Sequence, residues 1–137
     1  MTCETLGSSI STAKQLLELP KDTKKVPTLL RVNLDVRDVA RAHVRSISNP
    51  EFDNTRSVLI DSIADGQLIA DILHKNRPTE ATNLVVGTPG VYNTTADLQH
   101  DCSKTNACLG FEFILFEKTI LDQFDDVLQL KKESKQK

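Results

Sequence analysis

Between Asp35 and Asn49 the chain carries Val36, Val39, Ala40, His43, Val44 and Ile47 at i, i+3, i+4, i+7 spacing. That spacing predicts a helix with one apolar side, and an apolar side needs a surface to lie against. Asp35 is placed to cap the helix start, and Asp38 stands three residues on at capping-box spacing. Asn49-Pro50 ends the helix, because the residue before proline avoids helical geometry. Arg37, Arg41 and Arg45 form a second row on the other side at i+4 spacing. Whatever this chain folds into must bury the apolar stripe, and His43 within it is expected to be a satisfied core histidine.

The remaining segments give that helix few partners. A helix is predicted from about Ser9 to Leu19, with Ile10, Ala13, Leu16 and Leu17 on one face and Pro20 as its stop. Leu29 to Leu34 reads as a short strand, and Ser57 to Asp61 as a short buried one. A helix from about Asp65 to Lys75 shows Leu68, Ile69, Ile72 and Leu73 as its apolar face. Leu84-Val85-Val86 is strand-like and runs into the turn Gly87-Thr88-Pro89-Gly90, followed by a polar loop from Val91 to Cys102. Ser103 to Leu109 reads as a short helix closed by Gly110. Glu117 to Leu130 is the last helix, and residues 131–137 are a charged tail expected to be disordered. Parallel-looking strands alternating with amphipathic helices give an α/β reading. Three weak strands are too few for a full doubly wound sheet.

Composition narrows the function classes. The chain has 137 residues, the size of one domain. Its net charge of −2 removes the main reason to expect a nucleic-acid partner. No run approaches the roughly 18 apolar residues of a membrane helix. The start, Met1-Thr2-Cys3-Glu4, lacks the features of a secretory signal, so a cytoplasmic location is expected. Three cysteines are an odd number and do not suggest a disulfide framework.

Local motifs offer little chemistry. Gly87-x-x-Gly90-x-x-Asn93 is the nearest approach to a dinucleotide turn, but it contains Pro89 and leads into a polar loop rather than a helix. No Walker-type Gly-Lys-Ser/Thr is present. His100, Cys102 and Cys108 are irregularly spaced and lack a fourth ligand, so no metal site is expected. Cys108 reads instead as a small buried hydrophobe and Cys102 as a loop thiol. A Cys102–His100 nucleophile pair is equally weak, since neighbours in sequence rarely have the needed geometry. The arginine row reads as a solvated face, with a grip on an anionic ligand as the alternative. Asp38 reads as structural.

The segment Leu34-Asp35-Val36-Arg37-Asp38-Val39-Ala40-Arg41-Ala42-His43 resembles the Val-Asp-Val-Arg-Asp-Val-Ala-Arg-Ala-His block of fungal NADPH-dependent aldehyde and methylglyoxal reductases. These are extended short-chain dehydrogenase/reductases of the dihydroflavonol-4-reductase-like subfamily. Further blocks resemble that family in the same order. They are Leu6-Gly7-Ser8-Ser9, Ile69-Ala70-Asp71-Ile72-Leu73, Val86-Gly87-Thr88-Pro89-Gly90, and Asp101-Cys102-Ser103-Lys104-Thr105 through Leu109-Gly110-Phe111-Glu112-Phe113. The similarity spans about residues 5–130 and corresponds to the C-terminal, substrate-binding part of the family.

The resemblance implies a partial Rossmann-like extended short-chain dehydrogenase fold: C-terminal strands plus a helical substrate lobe, with the nucleotide-binding half absent. The family's Gly-x-x-Gly-x-x-Gly turn and its catalytic Ser with Tyr-x-x-x-Lys have no counterpart here. Tyr92, the only tyrosine, is followed four residues later by Ala96. No catalytic residue carries over. Ser9 falls where the family has a serine near the nicotinamide end and is the one cofactor-proximal candidate. The family uses NADPH to reduce small carbonyl compounds. This chain is expected to bind no NADPH alone and to be inactive by itself. A non-catalytic remnant or module that pairs with an intact reductase is the alternative. Departures include Arg77 at a usually aromatic position, Cys102 for Asn, Cys108 for Leu, and a strand entry, Asn54-Thr55-Arg56, that lacks the usual Gly-Gln. They suggest relaxed constraint.

Overall fold

In the computed structural model of the chain, residues 31–93 and 100–134 are described, with Leu16, Leu19 and residues 23–26 before them. The elements are β1 (Arg31–Asn33), α1 (Val36–Ile47), β2 (Ser62–Ala64), α2 (Gly66–Asn76), α3 (Ser103–Leu109) and α4 (Phe116–Ser134). Short 3-10 turns at Pro50–Phe52 and Glu80–Asn83 join them. The strands pair antiparallel, with Val32 opposite Ile63, which corrects the expectation of parallel strands. The predicted first helix lies largely outside the described residues, although Leu16 is helical and buried.

The core is built by α2 and α4. Ile69, Ala70 and Leu73 of α2 meet Ile120 and Phe124 of α4, with Ala64, Ala81, Leu84 and Leu16 closing around them. α2 follows its predicted limits closely. Arg77-Pro78 stops it, as a pre-proline residue should. Arg77 is no uncompensated charge, for its Nε and Nη2 donate to the two carboxylate oxygens of Asp125 at 3.0 and 2.6 Å. The expected sign of relaxed constraint is thus an ion pair joining α2 to α4. α4 continues past Leu130, so that residues 131–134 are helical rather than frayed.

Two predicted strands do not form. Residues 57–60 lie outside any ladder, and β2 begins only at Ser62. Leu84-Val85-Val86 is irregular, with Leu84 and Val85 buried. Composition favoured strands at both places, but a strand also needs a neighbour.

The largest correction concerns α1. Its caps are as expected: Asp35 Oδ1 accepts from the Arg37 amide at 2.8 Å, and Asn49 begins the next turn. Its orientation is not. Val36, Val44 and Ile47 are 76, 70 and 87% exposed, whereas Asp38 is fully buried together with Ala42. The apolar stripe faces outward. His43 is exposed with it, its Nδ1 2.7 Å from the Val39 carbonyl oxygen, and is no core histidine.

Candidate functional site

Two buried carboxylates explain why α1 turns its polar side inward. Asp38 accepts from Arg41 Nη1 at 2.9 Å and from the Ile114 amide at 2.7 Å. It thereby ties α1 to the segment ahead of α4, and does not close a capping box. Arg41 also stacks over Phe111, its guanidinium carbon 4.0 Å from the ring centroid. Asp35 accepts from Arg37 Nε at 2.9 Å and Nη2 at 2.7 Å, and from Thr119 Oγ1 at 2.8 Å. The Arg37 hydrogen bonds hold the Asp35 carboxyl far below the usual carboxylate range, against the opposing effect of burial. Arg37 also reaches Asp122 at 2.8 Å. Two of the three arginines in the expected solvated row are therefore committed to carboxylates, which removes them as ready anion ligands.

A third polar network holds the turn after residue 86. Gln67 Nε2 donates to the Val86 carbonyl at 2.8 Å and to Asp71 at 2.7 Å, and its Oε1 accepts from the Thr88 amide at 3.0 Å. Asp71 Oδ2 accepts from the Gly90 amide at 2.9 Å and from Tyr92 Oη at 3.0 Å. Asp65 Oδ2 accepts from the Asn93 amide at 2.9 Å and Nδ2 at 2.8 Å. Burial pushes the Asp65 carboxyl up, but these bonds outweigh it and leave the group below its ordinary value. Gly87 is required here: its φ is +65°, and a Cβ would strike the Gln67 amide and Val26. One signal of this network was in the sequence, the i, i+4 spacing of Gln67 and Asp71 on one helix side.

This network tests the fit of a dinucleotide. A pyrophosphate needs free amides at a glycine turn opening a helix. Here the amides of Thr88, Gly90 and Asn93 already point at Gln67 and two carboxylates, and residues 91–93, which follow the glycine turn, are not helical. The described residues do not fit the phosphates of NADPH. Ser9, the cofactor-proximal candidate, lies outside the described residues.

Beside the outward face of α1 runs a shallow groove of about 180 Å³. Ala42, His43 and Ser46 form one wall, and Phe52, Ser57, Leu59 and Leu109 the rest. It is smaller than the ~300 Å³ at which ligand pockets begin. Its hydroxyl at Ser46 donates to the His43 carbonyl at 2.9 Å rather than to the imidazole. The cysteines exchange their expected roles. Cys102 is buried at the start of α3, while Cys108 is half-buried, its Sγ donating to Glu51 Oε2 at 2.9 Å. That contact raises the Cys108 pKa and makes it a poor nucleophile. Among the described residues no group of three or more His, Cys, Asp or Glu side chains could hold a metal ion. No described helix is long and apolar enough to cross a membrane.

These elements form a partial short-chain dehydrogenase/reductase fold, helices with one short sheet. The chain is homologous to part of fungal NADPH-dependent methylglyoxal reductases, consistent with a C-terminal fragment of them. No family model matches it. The NADPH-dependent methylglyoxal reductase GRE2 of Saccharomyces cerevisiae is 32% identical over 127 residues, which are 90% of this chain and 36% of the relative. The crystal structure of yeast methylglyoxal/isovaleraldehyde reductase Gre2 with NADPH superposes with a TM-score of 0.77 at 30% identity, over 87% of this chain and 39% of that one. Gre2 from Candida albicans gives 0.75 at 25% identity, over 84% and 36%. The chain thus spans little more than a third of the relatives it matches.

Proposed function

We propose that the chain serves, in the cytoplasm, as the substrate-lobe part of an NADPH-dependent reductase of small aldehydes and ketones such as methylglyoxal, and that alone it reduces none. One observation carries this reading. Nearly the whole chain aligns with about a third of a methylglyoxal reductase, yet its 137 residues contain neither a Gly-x-x-Gly-x-x-Gly turn nor Tyr-x-x-x-Lys. The amides of the Gly87–Asn93 turn, already held by Gln67, Asp71 and Asp65, support the same view. In that role Ser9 stands near the nicotinamide end of the cofactor.

The test has two arms. Purified chain mixed with NADPH and methylglyoxal is expected to oxidise no NADPH above background, and turnover there overturns the claim of inactivity. A chimera carrying this chain in place of the matched segment of the yeast relative is expected to reduce methylglyoxal or another small aldehyde. A chimera that binds NADPH but reduces no small carbonyl overturns the lobe role. The outward apolar side of α1 favours one further reading, a non-catalytic module that associates with an intact reductase. Capture of full-length yeast reductase by the chain distinguishes it.

A further inference from the structure

A second, smaller recess lies between α3 and the segment around residues 51–56. The two walls are pinned together at Cys108. Its carbonyl oxygen accepts from Asn49 Nδ2 at 3.1 Å, and its thiol donates to Glu51 Oε2 at 2.9 Å. Arg56 lines the recess from one wall, and Lys104 and Thr105 line it from the other. Among the described residues neither Arg56 nor Lys104 makes an ion pair, and the Thr105 hydroxyl makes no hydrogen bond. The one carboxylate in the lining, Glu51, is engaged by the thiol. Lys104 stands close to that thiol as well: Glu51 and burial raise the Cys108 pKa, and the Lys104 charge opposes them. The lining thus sets two cations against one carboxylate, in a chain whose net charge is −2. A local field of this sign attracts an anion.

Size narrows the anion. The recess offers about 40 Å³. A water molecule needs about 10–15 Å³, so roughly three fit. Three is also the number of acceptor oxygens on a phosphoryl group. We infer that this recess binds the phosphoryl group of inorganic phosphate or of a small phosphate monoester, with Arg56 and Lys104 as its charge partners and Thr105 as a hydroxyl donor. The planar guanidinium presents two parallel N–H donors to two oxygens, and the ammonium meets the third as a point charge. A carboxylate has two oxygens and leaves one of these cations unmatched. The remainder of an esterified ligand projects into solvent, because the recess is too small to hold it. The site is separate from the Gly87–Asn93 turn, whose amides are already taken, and does not depend on the carbonyl-reductase reading.

The experiment is an NMR titration of the isotope-labelled full chain with inorganic phosphate, glycerol phosphate and acetate at matched ionic strength and fixed pH. Saturable shifts centred on the Arg56, Lys104 and Thr105 amides are expected with one or both phosphates, and none with acetate. Saturation by glycerol phosphate alone assigns the site to an esterified ligand. Saturation by inorganic phosphate alone assigns it to the free ion, and comparable saturation by both to the phosphoryl group itself. Arg56→Ala and Lys104→Ala should each weaken binding about tenfold, and together abolish it. Glu51→Gln should tighten binding by removing the like charge, a gain that damage to the fold does not produce. Lys132→Ala, in the last turn of α4, should leave binding unchanged. Shifts that never saturate with either phosphate, equal saturation by acetate, or binding that survives loss of both cations overturns the proposal.

Discussion

α1 and α2 are both amphipathic helices with well-marked ends, and the protein uses them in opposite ways. α2 sinks its apolar side into α4, so that Ile69 and Leu73 are fully buried. α1 holds its apolar side to solvent and anchors itself through Asp35 and Asp38. The difference teaches that hydrophobic periodicity defines a face but not its destination. When no apolar partner is at hand, two buried carboxylates with matched donors are enough to orient a helix. Each exposed Val or Ile forgoes roughly 1.5–3 kcal/mol of burial.

The contrast can be broken first at its apolar end. Phe124→Ala removes the largest fully buried side chain among the described residues and should cost about 3–5 kcal/mol, read as a lowered urea midpoint or outright loss of the folded signal. Asp38→Ala attacks the other anchor. It leaves the Ile114 amide without its acceptor and Arg41 without its carboxylate, and should cost about 1–3 kcal/mol in the same titration. Asp35→Ala should cost about 0.5–2 kcal/mol at neutral pH.

The sign of the pH dependence at Asp35 follows from its lowered pKa. Its contribution is complete above about pH 4, the unfolded carboxylate value, and fades as pH falls through the lower folded value. The gap between wild type and Asp35→Ala should therefore narrow on acidification, and a gap that widens would contradict the assignment. Smallest of all, Ile47→Asp in the isolated chain should shift stability by no more than about 0.5 kcal/mol, as at an ordinary surface position. A loss as large as that for Phe124→Ala would show that the stripe is buried after all.

Much of the local fold was legible in the sequence. Asp35, Asn49-Pro50, Arg77-Pro78 and Gly110 mark helix ends through backbone geometry, which is a local property. What was not legible depended on distant partners. Residues 57–60 have strand composition, but a strand is completed by another segment. Asp38 looked like a helix-start residue because its second ligand, the Ile114 amide, stands 76 positions away. The cysteines exchanged roles for the same reason, since Glu51, not sequence context, determines what Cys108 touches. Of the candidate site, the missing motifs were plain from the residues, and the likeness to methylglyoxal reductases is matched by the relatives. The amide-capping side chains Asp65, Gln67 and Asp71 were missed, because their acceptors serve a turn that looks unremarkable by itself.

That turn has a kinetic consequence. The bonds from α2 and its cap to residues 86–93 close loops of 19 to 28 residues, whereas those from α1 and its cap to α4 and its approach close 71 to 85. Loops of shorter span are entropically cheaper to close, and contacts of low sequence separation tend to form sooner. α2 and its polar strap should assemble as an early local unit, with the docking of α1 following. Pulsed hydrogen exchange during refolding should show the Gly90 and Asn93 amides protected before that of Ile114.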